Sequence, residues 1–118
     1  MYYNRNDNER YEQNCLMHVH EAEGPVQIGG KRNCLHFHCF CTTTSKGIPC
    51  GSCNHFHEVE FITDIVDCHC HKFCGRTGPA IQTSNGEHIH LIESVTCYND
   101  GHRHCVKIAT GTEEPIKC

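Results

Sequence analysis

The sequence predicts an all-β fold in which three two-strand repeats form an antiparallel six-stranded sheet, arranged as a sandwich or a barrel. The first observation behind this prediction is a His-x-His pattern that occurs six times and accounts for all twelve histidines of the 118-residue chain. Residues two apart on a strand share one face of the sheet, so each pair directs two imidazoles the same way. The pairs are His18/His20, His36/His38, His55/His57, His69/His71, His88/His90 and His102/His104.

The second observation is the spacing of these pairs. Their first members are 18, 19, 14, 19 and 14 residues apart, which separates the pairs into two alternating kinds. This alternation indicates a unit of about 33 residues that contains two strands and is present three times. The alternative is a parallel β-solenoid, which would stack the pairs in one ladder. Alternating long and short steps favour hairpins over that arrangement.

The third observation is the alternation of residue types after each pair. One face of each predicted strand continues apolar, whereas the opposite face carries glutamate, lysine and cysteine, as is typical of a half-buried antiparallel sheet. No stretch has a convincing helical period. The apolar residues two positions after each second histidine are Ala22, Phe40, Val59, Phe73, Ile92 and Val106. The predicted strands are 16–23, 34–43, 54–62, 67–75, 87–96 and 102–109.

The composition changes at about residue 15. Residues 1–15 are rich in asparagine and charged side chains and have few apolar groups, so they are predicted to form a flexible arm. This arm is either a disordered tail or a segment that docks on a neighbouring subunit through its tyrosines. Residues 16–118 are predicted to form one His/Cys-rich β domain of ordinary size.

The histidine pairs are candidate metal ligands, and Zn or Cu is the expected metal because imidazole suits both. In an antiparallel meander, the pairs of strands one, three and five lie at one end, and those of strands two, four and six at the other. Alternate strands of a flat sheet are about 10 Å apart, too far for shared ligation. In a closed or sharply curved sheet, three pairs could converge at each end. The alternative is that the histidines are core groups that hydrogen-bond one another.

The chain also has twelve cysteines, a number typical of disulfide- or metal-stapled domains. Their spacings fit no zinc-finger pattern, and Cys50-Gly-Ser-Cys53 lacks both a second Cys-x-x-Cys and a thioredoxin-like context. Disulfides are therefore favoured over thiolate–metal bonds. Cys15 and Cys118 lie near the two ends of the domain and are predicted to join subunits end to end, or else to bridge within one chain. The candidate cross-linking cysteines are Cys15, Cys34, Cys39, Cys41, Cys50, Cys53, Cys68, Cys70, Cys74, Cys97, Cys105 and Cys118.

Three segments, Asn85–His90, Asp100–His104 and His69–Gly78, resemble the repeats of the YmaF family of small, His-pair-rich proteins from spore-forming Firmicutes. The resemblance covers most of residues 18–112. It departs from the family pattern at Val106, where the family has an aromatic residue, and at 42–44, where threonines replace Gly-x-Thr. It implies an origin in a spore-former or a related bacterium rather than an activity.

Charge and hydropathy narrow the expected partners and locations. The net charge is −4 and the basic residues are scattered, so no nucleic acid is expected as a partner. No apolar run is long enough to span a bilayer, and no signal peptide is recognisable, so no membrane is expected either. The expected location is extracellular or at the spore surface, reached without a signal peptide, and the alternative is the cytoplasm.

Two classes of function remain, because no catalytic constellation stands out and the chain is predicted not to be an enzyme. The first is a structural, self-assembling protein, a disulfide-cross-linked filament or coat subunit that also binds transition metals. Its partner would be the protein itself, as a homo-oligomer or filament joined through the arm and intermolecular disulfides. The second is a soluble buffer for Cu, Zn or Ni, or a metal-sensing module. The terminal cysteines favour the first class, and the complete pairing of the histidines favours the second.

Overall fold

A computed structural model describes residues 16–30, 34–51 and 54–116. Within these residues the protein is all-β and has no helix, and every ladder between strands is antiparallel. The prediction of an all-β, antiparallel fold is therefore confirmed, and the alternative of a parallel solenoid is wrong. The strands are β1 (His18–Pro25), β2 (Cys39–Thr43), β3 (Gly47–Pro49), β4 (His55–Ile62), β5 (Lys72–Arg76), β6 (Ile81–Gln82), β7 (His88–Ile89), β8 (Leu91–Val95), β9 (Cys105–Ala109) and β10 (Glu113–Pro115).

These strands form four small sheets, in the orders β10-β1-β2, β3-β4-β5, β6-β7 and β8-β9. The described residues form no closed barrel, and a single six-stranded sheet is not confirmed. The longest ladders pair β1 with β2, β4 with β5, and β8 with β9, each over five residue pairs. Proline is the last residue of β1, β3 and β10, where its missing N–H removes a ladder donor and limits the strand.

The strands predicted at 34–43, 67–75 and 102–109 begin later than expected, so the histidine pairs near their starts lie just before β2, β5 and β9. Tight turns occupy two of these positions. Asp67 and Cys68 both have positive φ (53° and 64°), as do Asp100 and Gly101 (55° and 78°). Two central residues of this kind are typical of a type I′ turn. Turn geometry, rather than a regular ladder, therefore positions these histidines.

The apolar core is small, and it continues at both ends into buried histidines. Phe61 lies at its centre, with ring centroids 3.9 Å from Phe40 and 4.9 Å from Phe73 in stacked arrangements. All six apolar residues expected to face inward are buried. The buried apolar residues are Ala22, Val26, Phe40, Val59, Phe61, Phe73, Ile92 and Val106. Because each histidine pair shares a face with the apolar residue that follows it, the imidazoles extend the same interior.

The described residues contain no helix that could cross a membrane. The predicted arm at 1–15 lies outside the described residues, and so do Cys15, Cys53 and Cys118. The division of the chain at residue 15 therefore stays a prediction.

Candidate metal centres

The twelve histidines gather into two groups of six. The first hexad is His18, His20, His55, His57, His88 and His90, and the second hexad is His36, His38, His69, His71, His102 and His104. In each hexad, six ring nitrogens, one from each histidine, all lie within 4.8 Å of one another, so each group could hold a metal ion. The first hexad takes the pairs of the odd-numbered predicted strands, and the second takes those of the even-numbered ones. This is the convergence expected of a curved arrangement.

The ring pairs of the first hexad trace the edges of an octahedron. Twelve of its fifteen possible pairs have edge-on rings with centroids 4.5–5.1 Å apart. An octahedron has twelve edges and three pairs of opposite corners. The three remaining pairs, which stand for those opposite corners, are His18/His90, His20/His55 and His57/His88.

The second hexad has the same arrangement. Twelve of its ring pairs have centroids 4.7–5.1 Å apart. In both hexads, every opposite pair joins the first histidine of one His-x-His to the second histidine of another. The remaining pairs here are His36/His71, His38/His102 and His69/His104.

The spacing of the Nε2 atoms suits a central metal ion. In the first hexad, Nε2 of His88 lies 3.0 Å from that of His18 and 3.2 Å from that of His55. In the second hexad, Nε2 of His36 lies 3.1 Å from that of His69 and 3.2 Å from that of His102. Dividing such an octahedral edge by √2 places the centre about 2.2 Å from each nitrogen, close to a metal–imidazole bond length.

Backbone carbonyls fix the orientation of most of the rings. In the second hexad, all six Nδ1 atoms lie 2.7–3.2 Å from a carbonyl oxygen. In the first hexad, the second histidine of each pair does the same, at 2.7–2.9 Å. A carbonyl oxygen only accepts hydrogen bonds, so Nδ1 of these nine rings carries the proton and donates it. Nε2 then has no proton, and its lone pair points to the centre of the hexad.

This tautomer decides between the two interpretations of the histidines. Neighbouring Nε2 atoms in the second hexad cannot hydrogen-bond one another, because neither atom of a pair carries a proton in a neutral ring. Nε2 of His57, His90 and His104 is buried without any hydrogen-bond partner. Converging lone pairs in a buried space are unfavourable unless a cation lies between them. The arrangement therefore suits metal ligation better than mutual hydrogen bonding.

Burial also lowers the pKa of several imidazoles and so favours their uncharged form. Desolvation, reinforced by the neighbouring histidines, lowers the pKa of His18 to about 4 and that of His55 to about 3. The pKa values of His57, His90 and His104 are lowered to about 4, chiefly by burial. A neutral imidazole is the form that binds a metal ion. These rings are therefore ready to act as ligands near neutral pH.

Carboxylates lie behind some of the rings. Nδ1 of His38 is 3.6 Å from Oδ1 of Asp64, and Nδ1 of His69 is 3.4 Å from Oδ2 of Asp100. In the first hexad, Nδ1 of His88 is 3.4 Å from Oε1 of Glu113. Acidic groups in this position raise the basicity of imidazole ligands and offset the charge of a bound cation.

A family comparison agrees with the sequence motifs. The model of the YmaF family, described as "Spore germination protein GerY/YamF", matches residues 15–112. The chain belongs to the YmaF family. No curated protein and no solved structure matches it. The predicted resemblance is thus confirmed, and with it the link to a spore-related family.

Buried threonines brace five of the six second histidines of this YmaF-family chain, a role that was not predicted from the sequence. The backbone amide of the histidine donates to the threonine hydroxyl at 2.9–3.1 Å, and the threonine amide donates back to the histidine carbonyl at 2.8–2.9 Å. The sequence did contain a signal, since each of these threonines lies six residues after the second histidine of one pair, although it braces the second histidine of another pair. The braced pairs are His20/Thr44, His57/Thr77, His71/Thr63, His90/Thr110 and His104/Thr96.

The cysteines that the structure describes in this YmaF-family chain lie outside both hexads. The nine described cysteines are unpaired, and seven of them are exposed. Among the described residues, the groups able to hold a metal consist of histidine alone. The predicted cross-links stay a prediction. The nine are Cys34, Cys39, Cys41, Cys50, Cys68, Cys70, Cys74, Cys97 and Cys105.

Proposed function

We propose that this protein binds two divalent transition-metal ions, one at the centre of each hexad, with six imidazole ligands around each ion. One observation carries the proposal. Nε2 atoms converge from six directions with octahedral spacing, and nine of the twelve rings present a lone pair there because their Nδ1 atoms donate to backbone carbonyls. Metal-binding histidines in proteins typically make this outer hydrogen bond, which sets the tautomer and the ring direction.

The donor set narrows the choice of metal. Structural zinc is almost always tetrahedral, and Cu²⁺ prefers square-planar or tetragonal surroundings. Six nitrogens at the corners of an octahedron instead suit Fe²⁺, Co²⁺ or Ni²⁺, which accept imidazole and six ligands. We therefore propose these ions in place of the Zn or Cu that the sequence suggested.

Metal content and coordination number test the proposal. Protein dialysed against Ni²⁺ and then against buffer should retain two ions per chain by elemental analysis. X-ray absorption should show six nitrogen neighbours at about 2.1–2.2 Å. The variant His57→Ala/His90→Ala should retain one ion, as should His71→Ala/His104→Ala. Less than one ion per chain in the parent protein, or coordination by four ligands, would contradict the proposal.

The family description supports a proposal about where in the cell this metal binding takes place. Membership of a family described as spore germination proteins supports an association with the spore. We propose a role in storing or buffering metal there rather than in catalysis. That the protein is not an enzyme stays a prediction, and so does its exact location.

A second candidate function is the cross-linked assembly suggested by the cysteine count. One observation favours it: seven of the nine described cysteines expose their thiols on the outer faces, where other molecules can reach them. Gels run with and without reductant test it, since covalent multimers should collapse only on reduction. The proposed joint through Cys15 and Cys118 has its own test, because deletion of residues 1–15 should abolish end-to-end multimers. Filaments that persist after the deletion would refute that joint.

A further inference from the structure

The two hexads differ in how the protein covers them. In the first hexad, the strands that carry the first histidines have short outer strands hydrogen-bonded beside them. His18 pairs with Pro115 of β10, and β3 and β6 lie beside β4 and β7 in the same way. Three additional strands therefore border this site. The side chains of His18 and His55 are consequently buried, although that of His88 is partly exposed.

In the part of the chain that the structure describes, the second hexad has isolated bridges rather than strand ladders at its outer end. Its first histidines each form an isolated bridge to a residue on the other side of their own turn, Gly29, Val66 or Asn99. Within the described residues, no named strand runs beside these histidines. His36 and His102 are partly exposed, and their Nδ1 hydrogen bonds lie at the surface. Two of the three outer ligands of this hexad thus lie next to solvent.

The hexads also differ in how many rings have their tautomer fixed by a hydrogen bond from Nδ1. All six Nδ1 atoms of the second hexad donate to backbone carbonyls. In the first hexad, Nδ1 of His55 is buried without a partner, and Nδ1 of His88 faces the carboxylate of Glu113 at 3.4 Å. In the first hexad, carbonyls therefore fix the tautomer of three rings, whereas in the second hexad they fix the tautomer of all six.

We infer that the hexads exchange metal at different rates: the second hexad takes up and releases its ion through its open end, and the first hexad retains its ion. A ligand leaves a metal when its ring swings away and solvent enters. His36 and His102 are each paired through one isolated bridge, and their partly exposed rings can turn toward solvent without opening a named strand of the described residues. At the first hexad, the same motion requires opening of β3, β6 or β10, and such local opening has a free-energy cost. The inference rests on the proposed function.

Release to a chelator tests the inference. Full-length protein loaded with two Ni²⁺ ions is mixed with excess EDTA, and the nickel remaining on the protein is followed with time. We expect two phases, each of one ion per chain. The fast phase should be at least about tenfold faster, the difference made by about 1.4 kcal/mol in the barrier. Paramagnetic broadening of NMR signals locates each ion without any substitution. After the fast phase, broadening should be lost near Thr96 and Asp100 and kept near Thr110 and Glu113.

Matched variants assign the phases. His36→Ala/His102→Ala should lose the fast phase and keep the slow one, and His18→Ala/His55→Ala should do the reverse. The retained phase in each variant also reports that the variant folds. A single phase releasing both ions, or a fast phase that empties the first hexad, would overturn the inference and leave the proposed function standing. A parent protein that holds no nickel before EDTA is added would overturn the proposed function as well.

Discussion

The backbone amide of His90 donates to the hydroxyl of Thr110 at 3.1 Å, and the amide of Thr110 donates back to the carbonyl of His90 at 2.8 Å. His90 lies just before β8, and Thr110 follows β9, its antiparallel partner. These two hydrogen bonds satisfy buried polar groups of both residues and fix the position of the His90 backbone relative to Thr110. The ring of His90 is held in turn by the carbonyl of Gly78. The position of His90 in the first hexad therefore depends on a residue outside the six histidines.

Replacement of this threonine should cost stability. Thr110→Val leaves the amide of His90 without its acceptor in a buried position, which should lower the free energy of unfolding by about 1–3 kcal/mol. Urea denaturation of the metal-free protein measures the change. Thr43→Val on the exposed side of β2 is the matched control and should change stability by less than about 0.5 kcal/mol. Equal effects at the two positions would mean that the brace contributes nothing.

Metal should stabilise the folded chain. Binding only to the folded state adds about 2.7 kcal/mol per site when the free ion is at one hundred times its dissociation constant. The melting temperature should therefore rise on titration with Ni²⁺ and return to its starting value with EDTA. The variant His57→Ala/His90→Ala should keep about half of this stabilisation, because its second hexad is intact. A melting temperature that does not change when nickel is added would argue that the hexads are not metal sites.

Acid should destabilise the metal-free protein over a defined range. His18, His57 and His90 have pKa values lowered by burial from 6.5 to about 4 in the folded chain. Between these two values the unfolded chain binds more protons than the folded chain, so stability falls as pH falls. Above pH 6.5 these histidines are uncharged in both the folded and the unfolded chain, so the stability of the folded state no longer depends on their protonation. Melting temperatures measured from pH 7.5 to pH 4.5 check the prediction, and a flat curve between pH 6.5 and pH 5 would contradict it.

A strained turn offers a way to stabilise the protein. Cys68 has φ of 64°, a left-handed conformation that costs a non-glycine residue roughly 1 kcal/mol, whereas Gly101 has the corresponding place before His102. Cys68→Gly should therefore raise the free energy of unfolding by up to about 1 kcal/mol, less the entropy that glycine gains on unfolding. The same substitution in β9, Cys105→Gly, should instead lower it by about 0.5–1 kcal/mol. Thermal melts under reducing conditions compare the two, and a loss of stability in Cys68→Gly would show that the turn is not strained.

The sequence was most informative where a side chain's direction follows from local spacing. His-x-His followed by an apolar residue two positions later fixes which groups share the interior, and Phe40, Phe73 and Ile92 are buried as expected. The odd and even grouping of the pairs followed from strand order alone. The predicted start of the strand at 67–75 was less accurate, since β5 begins only at Lys72. The alternation of residue types continues through Asp67 and Cys68 whether or not those residues pair in a ladder.

Long-range pairing could not be derived from the sequence. The outer strands β3, β6 and β10 have two or three residues each, too few to show a periodic pattern of apolar and polar residues. Proline or glycine also lies in or near each of these strands. The threonine braces join residues as far apart as His20 and Thr44. Five of the six positions that lie six residues after a second histidine carry these threonines. The remaining position carries Val26, whose amide still donates to the carbonyl of His38, although valine has no hydroxyl to accept a bond. This substitution hides the repeat from a search for identical residues.

Each hexad takes one histidine pair from each third of the chain, and His88/His90 and His102/His104 are the last to be synthesised. On the ribosome, neither octahedral site can therefore exist until these residues have left the exit tunnel. A nascent chain that ends before His88 offers four imidazoles for each centre, the ligand number of a structural zinc site. We expect the ion that such a nascent chain prefers to differ from an ion bound by all six histidines of a hexad. Emergence of the last two pairs would then act as a selection step for the metal.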